Sequence, residues 1–143
     1  MSFITGDWPQ YPRKYNDFND LVGQTIVEVH ADPERWVLLF TLADGRRVGY
    51  ATENDCCNDV WFHHVSGLEA IIGQTITSTE MKGWVDVEST RQECEEAAFF
   101  TLCSARGRCD IEVRNSSNGY YGGTVVFLGE NGLNEPQPIT EDF

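Results

Sequence analysis

The sequence predicts an α+β domain that is mainly antiparallel β: a bent sheet or small open barrel of about eight strands with two short helices. Three observations carry this reading. Short runs rich in β-branched and aromatic residues recur along the chain, with polar residues alternating among them. Turn signals such as Asp44-Gly45 join most neighbouring runs closely, which favours antiparallel pairing over parallel crossovers. Only two segments read as helical, and a glycine ends each of them within a turn or so.

The elements follow in order. Asn16 or Asp17 can cap a helical turn through Asp20-Leu21-Val22, stopped by Gly23. Thr25 to His30 is a strand, with Ile26, Val27 and Val29 supplying β-branched side chains. Ala31-Asp32-Pro33-Glu34 is a turn. Trp36 to Leu42 is nearly continuous in apolar residues and reads as a central strand. Asp44-Gly45 turns the chain into Arg46 to Tyr50, completing a three-stranded meander.

Val60 to His64 is a strand, with Trp61 or Phe62 locking the middle of the sheet. Ser66 or Gly67 opens a second short helix, Leu68 to Ile72, ended by Gly73. A strand through Thr75 to Thr79 follows. Met81 to Glu96 is acidic and irregular in pattern and reads as a long surface loop. Ala98 to Cys103, Cys109 to Arg114 and Thr124 to Leu128 are three more strands, separated by Arg106-Gly107-Arg108 and by the polar turn from Asn115 to Gly119. Along Cys109 to Arg114 apolar and charged residues alternate, so one face of that strand is wet.

The domain organisation is then an N-terminal arm over residues 1–15, one globular domain over 16–128, and a loose C-terminal tail over 129–143. The arm holds Trp8, Tyr11 and Tyr15 among Pro9, Pro12, Arg13 and Lys14. Prolines oppose regular structure. The arm either is a disordered leader or packs its aromatics on the domain or on a neighbouring subunit, which would make a homo-oligomer.

Leu21-Val22-Gly23-Gln24-Thr25-Ile26 and Ile71-Ile72-Gly73-Gln74-Thr75-Ile76 share a plan: an apolar pair, a glycine, then Gln-Thr-Ile. Each reads as a helical turn closed by a left-handed glycine that feeds a strand. The two lie 50 residues apart, as a duplicated helix–strand element would.

Composition bounds the function. The chain has 143 residues, 41% of them hydrophobic, with eight Phe, five Tyr and four Trp, so it can build a core. Its formal net charge is -13. Such a surface repels phosphate backbones and anionic lipid, so direct nucleic-acid or membrane binding is disfavoured. No stretch approaches the roughly 18 apolar residues of a membrane span. The start, Met1 to Asp7, lacks the basic residues and apolar run of a signal peptide. A cytoplasmic protein with five reduced cysteines is the expectation, in the host cell if the chain is phage-encoded.

The richest segment in reactive groups runs from Asn54 to His64, with Cys56-Cys57 and His63-His64 at its two ends. The other singular segment is Ser117-Asn118-Gly119-Tyr120-Tyr121. Together, the Asn54-Asp55-Cys56-Cys57 run ahead of an aromatic strand and Ser66-Gly67-Leu68, and the Tyr120-Tyr121 turn ahead of a final strand, resemble an uncharacterised family of small phage and bacterial proteins. Leu21 to Ile26 and Ile71-Ile72-Gly73 fit that family's layout, over about residues 16–128. The chain departs from the pattern at Asn58, where an acid is usual, and at His63-His64. The family carries no activity to transfer. The resemblance implies a phage-linked accessory protein that interferes with host machinery or host defence.

Catalysis finds little support. Cys56, Cys57, His63, His64, Cys103 and Cys109 are zinc-ligand types, but their spacing lacks the two to four residues between paired ligands. Strand alternation sends neighbouring side chains to opposite faces, so Cys56 and Cys57 diverge, as do His63 and His64. A nucleophilic Cys57 needs an adjacent base or a helix N-terminus, and a strand follows it instead. No catalytic residue, metal site or cofactor is assigned, and a thiol- or zinc-dependent enzyme is the least favoured reading.

Two binding surfaces are expected. Asp86, Glu88, Glu93, Glu95 and Glu96 form a partner-binding acidic loop for a basic host protein, a defence factor (an anti-CRISPR-like role) or a nucleic-acid-binding factor. Asn118, Tyr120 and Tyr121, with Arg106 and Arg108, form an alternative ligand site: stacked aromatics and cations suit a nucleotide-type signal that the protein would sequester.

Overall fold

A computed structural model describes residues 18–53, 57–118, 125–129 and 137–143. Its strands are β1 (Thr25–Ala31), β2 (Val37–Leu42), β3 (Arg47–Thr52), β4 (Asn58–Ser66), β5 (Gln74–Val87), β6 (Cys94–Ser104), β7 (Gly107–Ser117), β8 (Val125–Gly129) and β9 (Gln137–Ile139). All pair antiparallel, in the order β4-β7-β6-β5-β1-β2-β3-β8, with β9 added on β1. The mainly antiparallel reading stands, including the β1-β2-β3 meander. Among the described residues no pairing joins the end strands β4 and β8, so the sheet is bent and open rather than a barrel.

The two expected helices are single 3-10 turns, Asn19–Leu21 and Leu68–Ala70. Left-handed residues bracket both: Phe18 and Gly67 before, Gly23 and Gly73 after. So short a span repays too few hydrogen bonds to nucleate an α-helix, and the tighter turn suffices.

The strand order is unchanged when β1 to β4 are exchanged with β5 to β8 and the list is reversed. The chain therefore repeats one four-strand topology twice about a local two-fold between β1 and β5. In each repeat the fourth strand crosses to the other: β4 pairs with β7, and β8 pairs with β3. The Leu21-to-Ile26 and Ile71-to-Ile76 echo lies on the dyad. Thr25 faces Thr75, the Gly23 amide donates to the Ile76 carbonyl at 2.7 Å, and the Gly73 amide donates to the Ile26 carbonyl at 2.6 Å. A second echo, Phe40-Thr41-Leu42 and Phe100-Thr101-Leu102, occupies β2 and β6.

The halves β4-β7-β6-β5 and β1-β2-β3-β8 share one core. Phe62, Val65, Phe100, Leu102, Ile111 and Val113 come from the first, and Val29, Leu38, Phe40 and Tyr50 from the second. Phe18 joins them: its ring centroid is 4.1 Å from that of Tyr50, 5.0 Å from Phe100 and 6.3 Å from Phe40. A φ of 70° costs a bulky residue about 1–2 kcal/mol, which the complete burial of this ring offsets.

Three expectations need correction. Met81 to Glu96 is not a long loop: Met81–Val87 continues β5, Cys94–Glu96 begins β6, and only residues 88–93 connect them. Lys82 and Asp86 are exposed on β5 and Glu88, Arg91 and Glu93 lie in the connection, while Met81 and Trp84 pack against the core. Trp61 and Phe62 lie on an end strand, not mid-sheet. The segment 129–143, expected as a loose tail, supplies β9 and then docks on β4. There Phe143 and Val65 exchange backbone hydrogen bonds of 2.8 and 2.9 Å. Asp142 accepts from the Gly67 and Leu68 amides, satisfying donors that a 3-10 turn leaves open. The 1–15 arm lies outside the described residues.

Candidate functional site

The outward face of β4-β7-β6-β5 carries the polar residues that alternate with the core. Antiparallel register sets them in rows. His64, Glu112, Phe99 and Lys82 lie abreast on the four strands, and Ser66, Asp110, Thr101 and Glu80 form the next row. These residues, with Arg108, line a groove of about 650 Å³. Lys82 Nζ stands 5.9 Å from the centroid of the Phe99 ring. Thr101 donates its hydroxyl to Asp110 at 2.7 Å, and Arg108 pairs with the same carboxylate at 3.1 Å. The groove thus offers an aromatic face between cations and carboxylates.

Next to it lies a closed ion network. The Glu95 side chain has no exposure, and Arg114 joins it at 2.6 Å while also reaching Glu112. The Thr90 amide and hydroxyl donate to Glu95 at 2.9 and 2.8 Å. Burial alone would raise the Glu95 carboxyl, but the Thr90 and Arg114 bonds hold it below its ordinary value. The 88–93 connection folds over this network. Arg91 stacks 3.5 Å above the Trp61 ring, and the Gln92 amide donates to the Ser116 hydroxyl.

His63 and His64 do not diverge. A β-bulge between Phe62 and His64 turns both outward, with ring centroids 4.5 Å apart. Trp61 Nε1 donates to His63 Nδ1 at 3.1 Å, and His64 Nδ1 lies 3.1 Å from the Phe143 oxygen. Burial, then the neighbouring Arg114 and His64, lowers the His63 pKa. Among the described residues no three or more His, Cys, Asp and Glu gather as a metal site. Cys109 is buried, which pushes its thiol up to about 12, so it makes a poor nucleophile. Cys56 lies outside the described residues.

The expected acidic surface divides. Asp86, Glu88 and Glu93 are exposed along and beside the end of the β5–β6 hairpin. Glu95 is consumed by the Arg114 network, and Glu96 accepts from the Asn115 amide at 3.1 Å. The expected ligand residues do not all converge. Arg106 and Arg108 start the β7 hairpin, whereas Asn118 follows its far end, roughly 30 Å along an extended strand. Tyr120 and Tyr121 lie outside the described residues. Arg108 instead lines the groove, together with Glu80, Lys82, Phe99, Thr101 and Glu112, which the sequence reading left unassigned. The alternating Cys109-to-Arg114 strand was the available signal for that wet face, but only cross-strand register joins it to β4, β6 and β5.

The chain belongs to the family described as Domain of unknown function (DUF7448), whose model matches residues 19–127. It is also similar to an uncharacterised protein of Acanthamoeba polyphaga mimivirus, 34% identical over 77 residues. That match covers 51% of this chain and 61% of the viral protein. No solved structure matches. No helix among the described residues is long and apolar enough to cross a membrane.

Proposed function

We propose that this is a virus-encoded accessory protein that acts by binding rather than catalysis: its acidic surface occupies a basic site on a host protein, such as a defence or nucleic-acid-binding factor. The observation that carries the reading is the β5–β6 hairpin, which holds Asp86, Glu88 and Glu93 exposed at its end in a chain of net charge -13. Carboxylates so placed meet a cationic surface first and steer its approach. The similarity to a mimivirus protein supports the viral setting. Association with the captured partner should slow steeply as salt rises, because the steering charges are exposed and screened. A rate that stays constant between low and high salt would sink the reading.

A second reading rests on the groove. The Phe99 ring with Lys82 beside it, in a groove that Arg108 also lines, offers a planar ligand a stacking face and cations, so a nucleotide-type signal is the ligand class to try. A panel of cyclic and linear nucleotides, tested by thermal shift against the chain and its Phe99→Ala variant, decides it. A shift in the parent that the variant loses supports the reading. No shift from any member refutes it for that panel.

A further inference from the structure

We propose that β5 is a docking edge for a second copy of this chain, the two β5 strands pairing antiparallel about Met81. One edge of β5 is taken by β6 along its length. The other edge meets β1 only at Gln74 and Thr75, and the next residue, Ile76, bonds to Gly23 and Gln24. Thr79 then donates its hydroxyl to Asn19 at 2.7 Å. From Glu80 to Val87 no other strand among the described residues pairs with this edge. Unpaired backbone groups in a row are a template for another strand.

The local two-fold relates this edge to one that is paired. On β1 the matching positions are filled, because β9 pairs with Val29, His30 and Ala31. Fifty residues on, Thr79, Glu80 and Met81 of β5 have no such cover among the described residues. Among the described residues the fold therefore adds a strand at this place in one repeat and none in the other.

The side chains choose the occupant. Glu80 and Lys82 are exposed and share the groove face, with Met81 turned toward the core between them. Pairing two β5 strands about Met81 sets Glu80 opposite the partner's Lys82, and Lys82 opposite the partner's Glu80, on one face. Centring on Glu80 or on Lys82 instead would oppose like charges. A one-residue slip would put core-facing residues against wet ones. Val85, 39% exposed, lies beside this edge. The chain's charge of -13 opposes association, but at physiological salt it is screened beyond about 8 Å, whereas the Glu80–Lys82 contacts are local. The dimer would join two β4-β7-β6-β5 faces into one sheet, and the two grooves would meet across the dyad.

Sedimentation of the full chain at physiological salt and tens of micromolar protein tests this. The expected result is a dimer for the parent, a monomer for K82E, which opposes two acids, and a dimer again for E80K/K82E, which restores opposite charges. Circular dichroism of all three confirms that each folds. A monomeric parent overturns the proposal. So does a dimer that K82E leaves intact, or a double variant that stays monomeric.

Discussion

Thr25 and Thr75, fifty residues apart, share a 2.6 Å hydrogen bond between their hydroxyls across the local two-fold. The sequence echo that contains them is therefore a contact as well as a repetition. On either side of this bond, Gly23 and Gly73 hold nearly equal dihedrals, φ 85° and 82°, and each has open space where a Cβ would go. Replacing either by alanine meets no neighbour among the described residues and costs the left-handed backbone, about 1 kcal/mol. Urea denaturation should return the same loss for both variants. A several-fold difference would break the equivalence of the two halves.

Gly67 is the contrast. Its φ is 95°, and a Cβ there would run into the Arg108 carbonyl oxygen on β7. Backbone strain and a rigid clash then act together, at about 3 kcal/mol. Gly67→Ala should destabilise clearly more than Gly23→Ala in the same titration. An equal loss would place the 3-10 turn farther from β7 than described.

Arg114 is the cation that makes burial of Glu95 tolerable. Arg114→Met leaves a buried carboxylate with only Thr90, at a cost of about 3 kcal/mol. The same group sets an acid limit. Its folded pKa lies below the ordinary 4.5, so its contribution is complete above that value and is lost as pH falls through the folded pKa. The parent should lose stability from about pH 4.5 downward, and Glu95→Gln should flatten that part of the curve. Unchanged acid profiles in the variant would assign the loss to other carboxylates.

His63 predicts a second, separate slope. Its folded pKa is depressed below 6.5, chiefly by burial and then by Arg114 and His64. The unfolded chain therefore takes up the proton first. Stability falls as pH drops below 6.5 and levels off below the folded pKa. Protonated Nδ1 could no longer accept from Trp61 Nε1, which acts in the same direction. His63→Gln should remove this slope, measured as midpoint denaturant concentration against pH. Retention of the full slope would contradict this assignment to His63.

The antiparallel class, the meander and the left-handed glycines were legible because each rests on local chemistry: alternation, Asp44-Gly45, and a glycine after an apolar pair. Failures arose where tertiary structure decided. Charges on Met81 to Glu96 suggested a loop, yet pairing with β6 and anchoring by Met81 and Trp84 make a strand of its first half. One bulge beside Phe62 reversed the alternation argument for His63 and His64. Asp142 and Phe143 looked loose because their partners, Gly67 and Val65, lie more than seventy residues away. The groove was invisible for a related reason: its residues come from four strands brought abreast only by register. Conversely, Glu95 and Glu96 look in sequence like the other acids of the hairpin, and only burial beside Arg114 and Asn115 removes them from the exposed set.

Binding through the acidic hairpin is tested most directly by capture from host lysate. The full chain and the triple variant Asp86→Asn, Glu88→Gln, Glu93→Gln are immobilised side by side, and eluates are compared by quantitative mass spectrometry. All three positions are exposed, so the variant keeps the fold. A basic host protein retained by the parent and depleted at least tenfold on the variant, about 1.4 kcal/mol of lost binding, is the result predicted here. Equal retention on both, or no host protein enriched on the parent, would contradict it.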